Sequence, residues 1–109
     1  MTATATYPSL KDRVVFVTGG GSGIGASIVE HFCQQGARVG FVDIDVEASE
    51  ALVAAMTEAG HHKPHFVECD LRDIAALRQA IDAVRGALGP ITILINNAAH
   101  DQRHAIDEV

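Results

Sequence analysis

Val14-Val15-Phe16-Val17-Thr18-Gly19-Gly20-Gly21-Ser22-Gly23-Ile24-Gly25 runs from a short apolar segment into a cluster of glycines. Four apolar residues in a row suit a strand buried on both faces. After the glycines, Ile24, Ile28 and Phe32 recur at intervals of four, with Ala26, Val29 and Cys33 beside them. That period predicts a helix, and Gly36 ends it. A strand that passes through glycines into a helix is suited to hold an anion. Gly19 can take backbone angles closed to other residues, so the chain turns sharply. Gly21 and Gly23 carry no Cβ and let the backbone approach a pyrophosphate, which the free N–H groups and positive dipole end of the helix then hold. Gly25 lets the helix pack closely on the sheet. Two registers fit a dinucleotide fingerprint: Gly21-x-Gly23-x-x-Ala26, and the wider Thr18-Gly19-x-x-x-Gly23-x-Gly25. Gly19, Gly21, Ser22, Gly23, Ile24 and Gly25 are the candidate cofactor-binding residues of this turn.

The strand–helix rhythm continues outward from the turn. Val39-Gly40-Phe41-Val42 is a second strand, ending on Asp43. Asp45 can cap a second helix carrying Leu52, Ala55, Met56 and Ala59, which stops at Gly60. His65 to Cys69 is a third strand. Asp73 can cap a third helix with Ile74, Leu77, Ile81, Val84 and Leu88 on one stripe, which Gly89-Pro90 stops. Ile91 to Ile95 is a fourth apolar strand, closed by Asn96-Asn97-Ala98-Ala99. The order βαβαβαβ with short connections implies an α/β, Rossmann-type doubly wound parallel sheet, here four strands with three helices. Residues 1–10 read as a flexible tail, and residues 11–109 as the amino-terminal part of a single dinucleotide-binding domain that is interrupted.

Composition bounds the function. Of 109 residues, 48% are apolar, enough for a core at this size. Eight Lys and Arg stand against 14 Asp and Glu, a formal charge of −6. Nothing in that balance attracts nucleic acid or an acidic membrane. No apolar run approaches the ~20 residues of a membrane span, and Met1 to Tyr7 has no signal-peptide pattern. A cytoplasmic protein is expected, with Cys33 and Cys69 as small buried thiols.

Asp43 lies at the carboxyl end of the second strand. In a dinucleotide fold a carboxylate there accepts hydrogen bonds from the adenosine ribose and repels a 2′-phosphate. Arg38 is five residues earlier on the same strand, too far to reach that spot. The expected cofactor is therefore NAD, with NADP not excluded. His61, His62 and His65 read as a solvated loop running into a strand rather than a zinc site, and no metal is expected. Tyr7-Pro8-Ser9-Leu10-Lys11 has Tyr-x-x-x-Lys spacing. It belongs to the tail before the first strand, however, and not to a helix that could place an ammonium beside a phenol.

Thr18-Gly19-Gly20-Gly21-Ser22-Gly23-Ile24-Gly25 resembles the Thr-Gly-x-x-x-Gly-Ile-Gly turn of the short-chain dehydrogenase/reductase family. Cys69-Asp70-Leu71 is similar to that family's acidic residue after strand three, and Asn96-Asn97-Ala98-Ala99 to its Asn-Asn-Ala-Gly segment, with Ala99 in the place of glycine. The resemblance implies that Asp70 and the main chain at Leu71 contact the adenine. It also implies that Asn97 steadies the sheet and that Ala98 and Ala99 line the cofactor ribose. His100 follows as a candidate for the substrate pocket. Members run to roughly twice this length, in keeping with open α/β folds. The family's catalytic serine, Tyr-x-x-x-Lys pair and helix asparagine are therefore expected beyond Val109, and no catalytic residue is assigned here.

The expected function is hydride transfer between a nicotinamide cofactor and an alcohol or carbonyl substrate, with a sugar or polyol suggested by the resemblance. This chain would supply the cofactor site only and be inactive alone, and the full-length enzyme is expected to be a homo-oligomer. The competing reading is a stand-alone, non-catalytic dinucleotide-binding module. Against it, the strand Ile91 to Ile95 would expose an apolar edge. A phosphoacceptor signalling domain would need an acidic cluster ending the first strand, where Thr18-Gly19 stands. Ala105-Ile106-Asp107-Glu108-Val109 looks like the opening of another helix, which favours an interrupted chain.

Overall fold

The computed structural model describes residues 10–21 and 23–97. The tail residues 1–9, Ser22, and Ala98, Ala99, His100 and the segment to Val109 lie outside the described residues.

Seven elements follow in the expected order: β1 (Val14–Thr18), α1 (Gly23–Gln34), β2 (Arg38–Asp43), α2 (Val46–Glu58), β3 (His65–Glu68), α3 (Ile74–Leu88) and β4 (Ile93–Asn96). The four strands pair in the order β3-β2-β1-β4, and every pairing is parallel. β1 is central and buried along its whole length. Its alternating side chains feed two cores, because successive residues of a strand face opposite sides. Val15 and Val17 join Val39, Phe41, Val29, Cys33 and Met56 under α1 and α2. Val14 and Phe16 join Val42, Cys69, Ala80 and Val84 under α3. Helices thus cover both faces, as the continuous apolar strands require.

The caps are those expected. The Asp45 carboxylate accepts from Ala48 N–H at 3.0 Å and that of Asp73 from Ala76 N–H at 3.0 Å. Two details differ. Ile24 and Ile74 extend the apolar stripes of α1 and α3 in sequence, yet they are 64% and 58% exposed. Both lie in the first turn of their helix, past the carboxyl ends of the strands, where no sheet lies beneath. The rest of each stripe docks: Ile28 and Phe32 beside the buried Gly25, Val29 and Cys33 on α1, and Leu77, Ile81 and Leu88 beside the buried Ala80 and Val84 on α3. The fourth strand also starts later than Ile91. Ile91 packs into the α3 core, and Thr92 N–H bonds the Val14 carbonyl at 3.0 Å before the ladder begins at Ile93.

One close approach positions α3. A Cβ on Gly40 of β2 would come within 2.7 Å of both methyl carbons of Val84. The glycine lets α3 lie directly on the sheet.

Candidate functional site

The strand order reverses between β1 and β4, since β2 and β3 extend the sheet on one side of β1 and β4 on the other. In open α/β sheets the crevice at the carboxyl ends of the strands at such a reversal is where ligands bind. The glycine turn leaves β1 at that point, and the chain around it is fixed from both neighbouring strands.

From the β2 side, the N–H groups of Gly19 and Gly20 donate to the Val42 carbonyl at 2.8 and 3.2 Å, and Gly21 N–H donates to Asp43 Oδ2 at 2.9 Å. From the β4 side, Asn97 Nδ2 donates to the Gly19 carbonyl at 3.1 Å, and Thr18 Oγ1 donates to Asn96 Oδ1 at 2.9 Å. Gly19 has φ 67°, the left-handed conformation that makes the sharp turn. A Cβ on Gly25 would collide with the Gly19 carbonyl oxygen and come within 2.9 Å of Asn97 Nδ2. Gly25 thus packs α1 against the turn itself, more closely than against the sheet. Gly20, to which sequence reasoning gave no role, seals the turn onto the core, since a Cβ there would come within 2.9 Å of Phe41 and Val29. Gly23 is different. It has φ 59°, and no heavy atom of the described residues lies within 4 Å of where its Cβ would be. The leading N–H groups of the first turn of α1 have no partner inside the helix, and no described residue crowds Gly23 there.

Asp43 reaches the glycine turn at Gly21 from the end of β2. Oδ2 accepts from Gly21 N–H, and Oδ1 accepts from Asp45 N–H at 2.8 Å. It is thus a turn former as well as a candidate ligand-binding group, and the two roles use different lone pairs. Arg38 stands at the opposite end of β2, with Nε 3.9 Å from Asp12 Oδ1, far from Asp43.

Beyond β3, Asp70 is engaged by a residue that sequence reasoning missed. Arg72 donates to it from its backbone N–H (3.0 Å), Nε (3.1 Å) and Nη2 (2.8 Å). Those side-chain bonds, then the backbone bond, hold the Asp70 carboxyl down at about 2. The Asp-x-Arg spacing was the available signal. Burial, with the nearby Asp73 and Asp70 charges, pushes the Cys69 thiol up, and burial with Glu30 pushes Cys33 up to about 11. Leu71 packs into the α3 core.

The other candidates sit elsewhere. Lys11 lies over Gly36 at the amino end of β1, a strand's length from the glycine turn, so it cannot serve chemistry there. Tyr7 lies outside the described residues. His62 Nε2 is 2.9 Å from Asp12 Oδ1 at that same far end, and His65 begins β3. Among the described residues no three His, Cys, Asp or Glu side chains converge on one point. No helix among them is long and apolar enough to cross a membrane.

The model of the short chain dehydrogenase family matches residues 13–109. The chain belongs to that family. It is 49% identical over 106 residues to a probable galactose dehydrogenase of Rhizobium meliloti, covering 97% of this chain and 41% of the relative. It is 43% identical over 107 residues to a D-xylose 1-dehydrogenase of Caulobacter vibrioides, covering 98% and 41%. A solved dehydrogenase/reductase from Sinorhizobium meliloti superposes with TM-score 0.79 at 35% identity, covering 89% of this chain and 38% of that one. This short-chain dehydrogenase chain thus spans about two fifths of the length of the relatives it matches. The Rossmann-type sheet read from the sequence is the family's fold.

Proposed function

We propose that this chain forms the cofactor site of an NAD-dependent dehydrogenase acting on the alcohol or carbonyl carbon of a sugar or polyol. The observation that carries the reading is the placement of the Asp43 carboxylate. It stands at the end of β2, bonded to Gly21 N–H of the glycine turn, with no cation from its own strand nearby. The residues present fit a dinucleotide. Among the described residues nothing crowds Gly23 at the start of α1, as a pyrophosphate held by backbone N–H groups needs.

In this reading Gly19, Gly21, Ser22, Gly23, Ile24 and Gly25 cradle the pyrophosphate. Asp43 accepts from the adenosine ribose and disfavours a 2′-phosphate by charge. Asp70, Leu71 and the main chain around them bound the adenine. Asn97 fixes the turn through Gly19, while Ala98 and Ala99 line the cofactor ribose and His100 borders the substrate. The cofactor supplies or takes up the hydride. The chain's residues bind it, orient it and hold the turn rigid. We assign the acid–base groups to the part of the relatives' length that this chain does not span, so residues 1–109 alone are expected to be inactive. Residues 11–109 belong to one dinucleotide-binding domain, completed by the rest of its own fold in a cytoplasmic homo-oligomer. The sugar assignment rests on the similarity to a probable galactose dehydrogenase and a D-xylose 1-dehydrogenase.

Nicotinamide fluorescence titration of the full-length enzyme with NADH and NADPH tests the cofactor reading. NADH is expected to bind at least 10-fold more tightly, and Asp43→Asn to reduce that preference by about 10-fold or more, as loss of one charged hydrogen bond worth ~1.5–3 kcal/mol requires. Equal or tighter binding of NADPH by the natural sequence would overturn it. Assays of galactose, xylose and polyols with the same preparation test the substrate class.

A further inference from the structure

Ser49 sits in the first turn of α2 and was not among the residues singled out by sequence. It is fully buried. Its Oγ is the one buried side-chain polar atom among the described residues with no hydrogen-bond partner. Leaving a buried hydroxyl unpaired is unfavourable, and such atoms are rare in folded proteins.

Its location gives the vacant bond a meaning. A Cβ on Gly21 would collide with Ser49 Oγ and would lie 3.0 Å from Asp43 Oδ2. The hydroxyl and the carboxylate therefore face the same point beside the glycine turn. Gly21 must be glycine partly because Ser49 occupies the space its side chain would take. Asp43 itself accepts two backbone N–H groups, one on each oxygen. A carboxylate offers about four acceptor positions, and a serine hydroxyl proton turns about its Cβ–Oγ bond at little cost.

We propose that Ser49 is a positioning residue for the adenosine end of the cofactor site, its hydroxyl donating to the Asp43 carboxylate when ligand is bound. With Gly21 and Asp45 N–H it then fills three acceptor positions and fixes the plane of the carboxylate. The fourth, on the outer side, is left for one ribose hydroxyl. Ser49 is too deeply buried to touch the ligand, so it acts only through Asp43. This inference rests on the assignment of Asp43 to the ribose.

The test uses the full-length enzyme and Ser49→Ala, with three readouts: the dissociation constants of NADH and NADPH by fluorescence, and the thermal midpoint without ligand. NADH is expected to weaken 3- to 10-fold and NADPH to change less than 2-fold. The unliganded midpoint should hold or rise, because an unpaired buried hydroxyl is removed. In an Asp43→Asn background the same substitution should no longer alter NADH binding. If Ser49→Ala does not fold, Ser49→Cys, which fills the site with a somewhat larger but weakly donating group, reads the same ratio. Equal weakening of both cofactors with a lowered midpoint would make Ser49 a packing residue and overturn the proposal. An unchanged NADH/NADPH ratio, in an enzyme whose natural sequence prefers NADH, would overturn Ser49's role while leaving Asp43's intact. A natural sequence without preference for NADH would overturn both.

Discussion

Asp70 is ionised far into acid because Arg72 grips both of its oxygens. The folded carboxyl titrates at about 2, against 3.8 for an unperturbed one. A depressed carboxylate adds stability above its unfolded value and loses it as pH falls through the folded one. The Asp70–Arg72 pair is thus fully effective above about pH 4 and is lost toward pH 2. Both side chains face solvent, so the gain is small. Arg72→Ala should move the Asp70 titration midpoint up toward the ordinary value, read by carboxyl NMR. A midpoint still near 2 would show that Arg72 is not the cause. At this scale the sequence marked Asp43, Asp70 and Asn97 but not their partners. Arg72 was within reach of the Asp-x-Arg spacing, whereas Gly21 and the Gly19 carbonyl became partners only through turn geometry that residue spacing does not encode.

Elements owe their limits to local chemistry and their rotation to packing. Asp45 and Asp73 begin helices where an N-cap should, since their side chains satisfy N–H groups the helix leaves open. The rotation of α3 is another matter. Its sequence stripe begins at Ile74, which is exposed, while Leu77, Ile81, Val84 and Leu88 of that stripe pack on the core beside Ala80, with Val84 over Gly40. Gly40→Ala should cost about 2 kcal/mol, the usual penalty of overpacking a tight core. Val84→Ala in the same chain should recover part of it by making room. Chemical denaturation of the two single variants and the double variant measures the coupling. Additive losses would mean that the two residues do not compete for one space.

For the molecule as a whole, the sheet ends at β4 among the described residues, and its outer edge pairs with no described strand. Leu94 on that strand is 63% exposed. It borders an apolar trough of about 190 Å³ floored by Phe16, Leu71 and Ile81. Unpaired apolar edges invite association. A polypeptide of residues 1–109 alone is expected to self-associate with rising concentration, and Leu94→Lys to reduce this, in sedimentation velocity. A single monomeric species across the range would contradict it.

The sequence by itself determined the order of elements, the parallel α/β class, the caps and the glycine turn. Each of these follows from hydrophobic period, from side chains that satisfy nearby N–H groups, or from the absence of a Cβ, all of which act over a few residues. Only the tertiary structure decided why each glycine is needed: Gly25 for the Gly19 carbonyl, Gly20 for Phe41 and Val29, Gly21 for Ser49 and Asp43. It also decided that Ser49, unremarkable in its helix, lies buried and unpartnered against the turn. Except for Gly19 and Gly25, six residues apart, these contacts join residues distant along the chain, and all of them exist only once strands and helices have closed on one another.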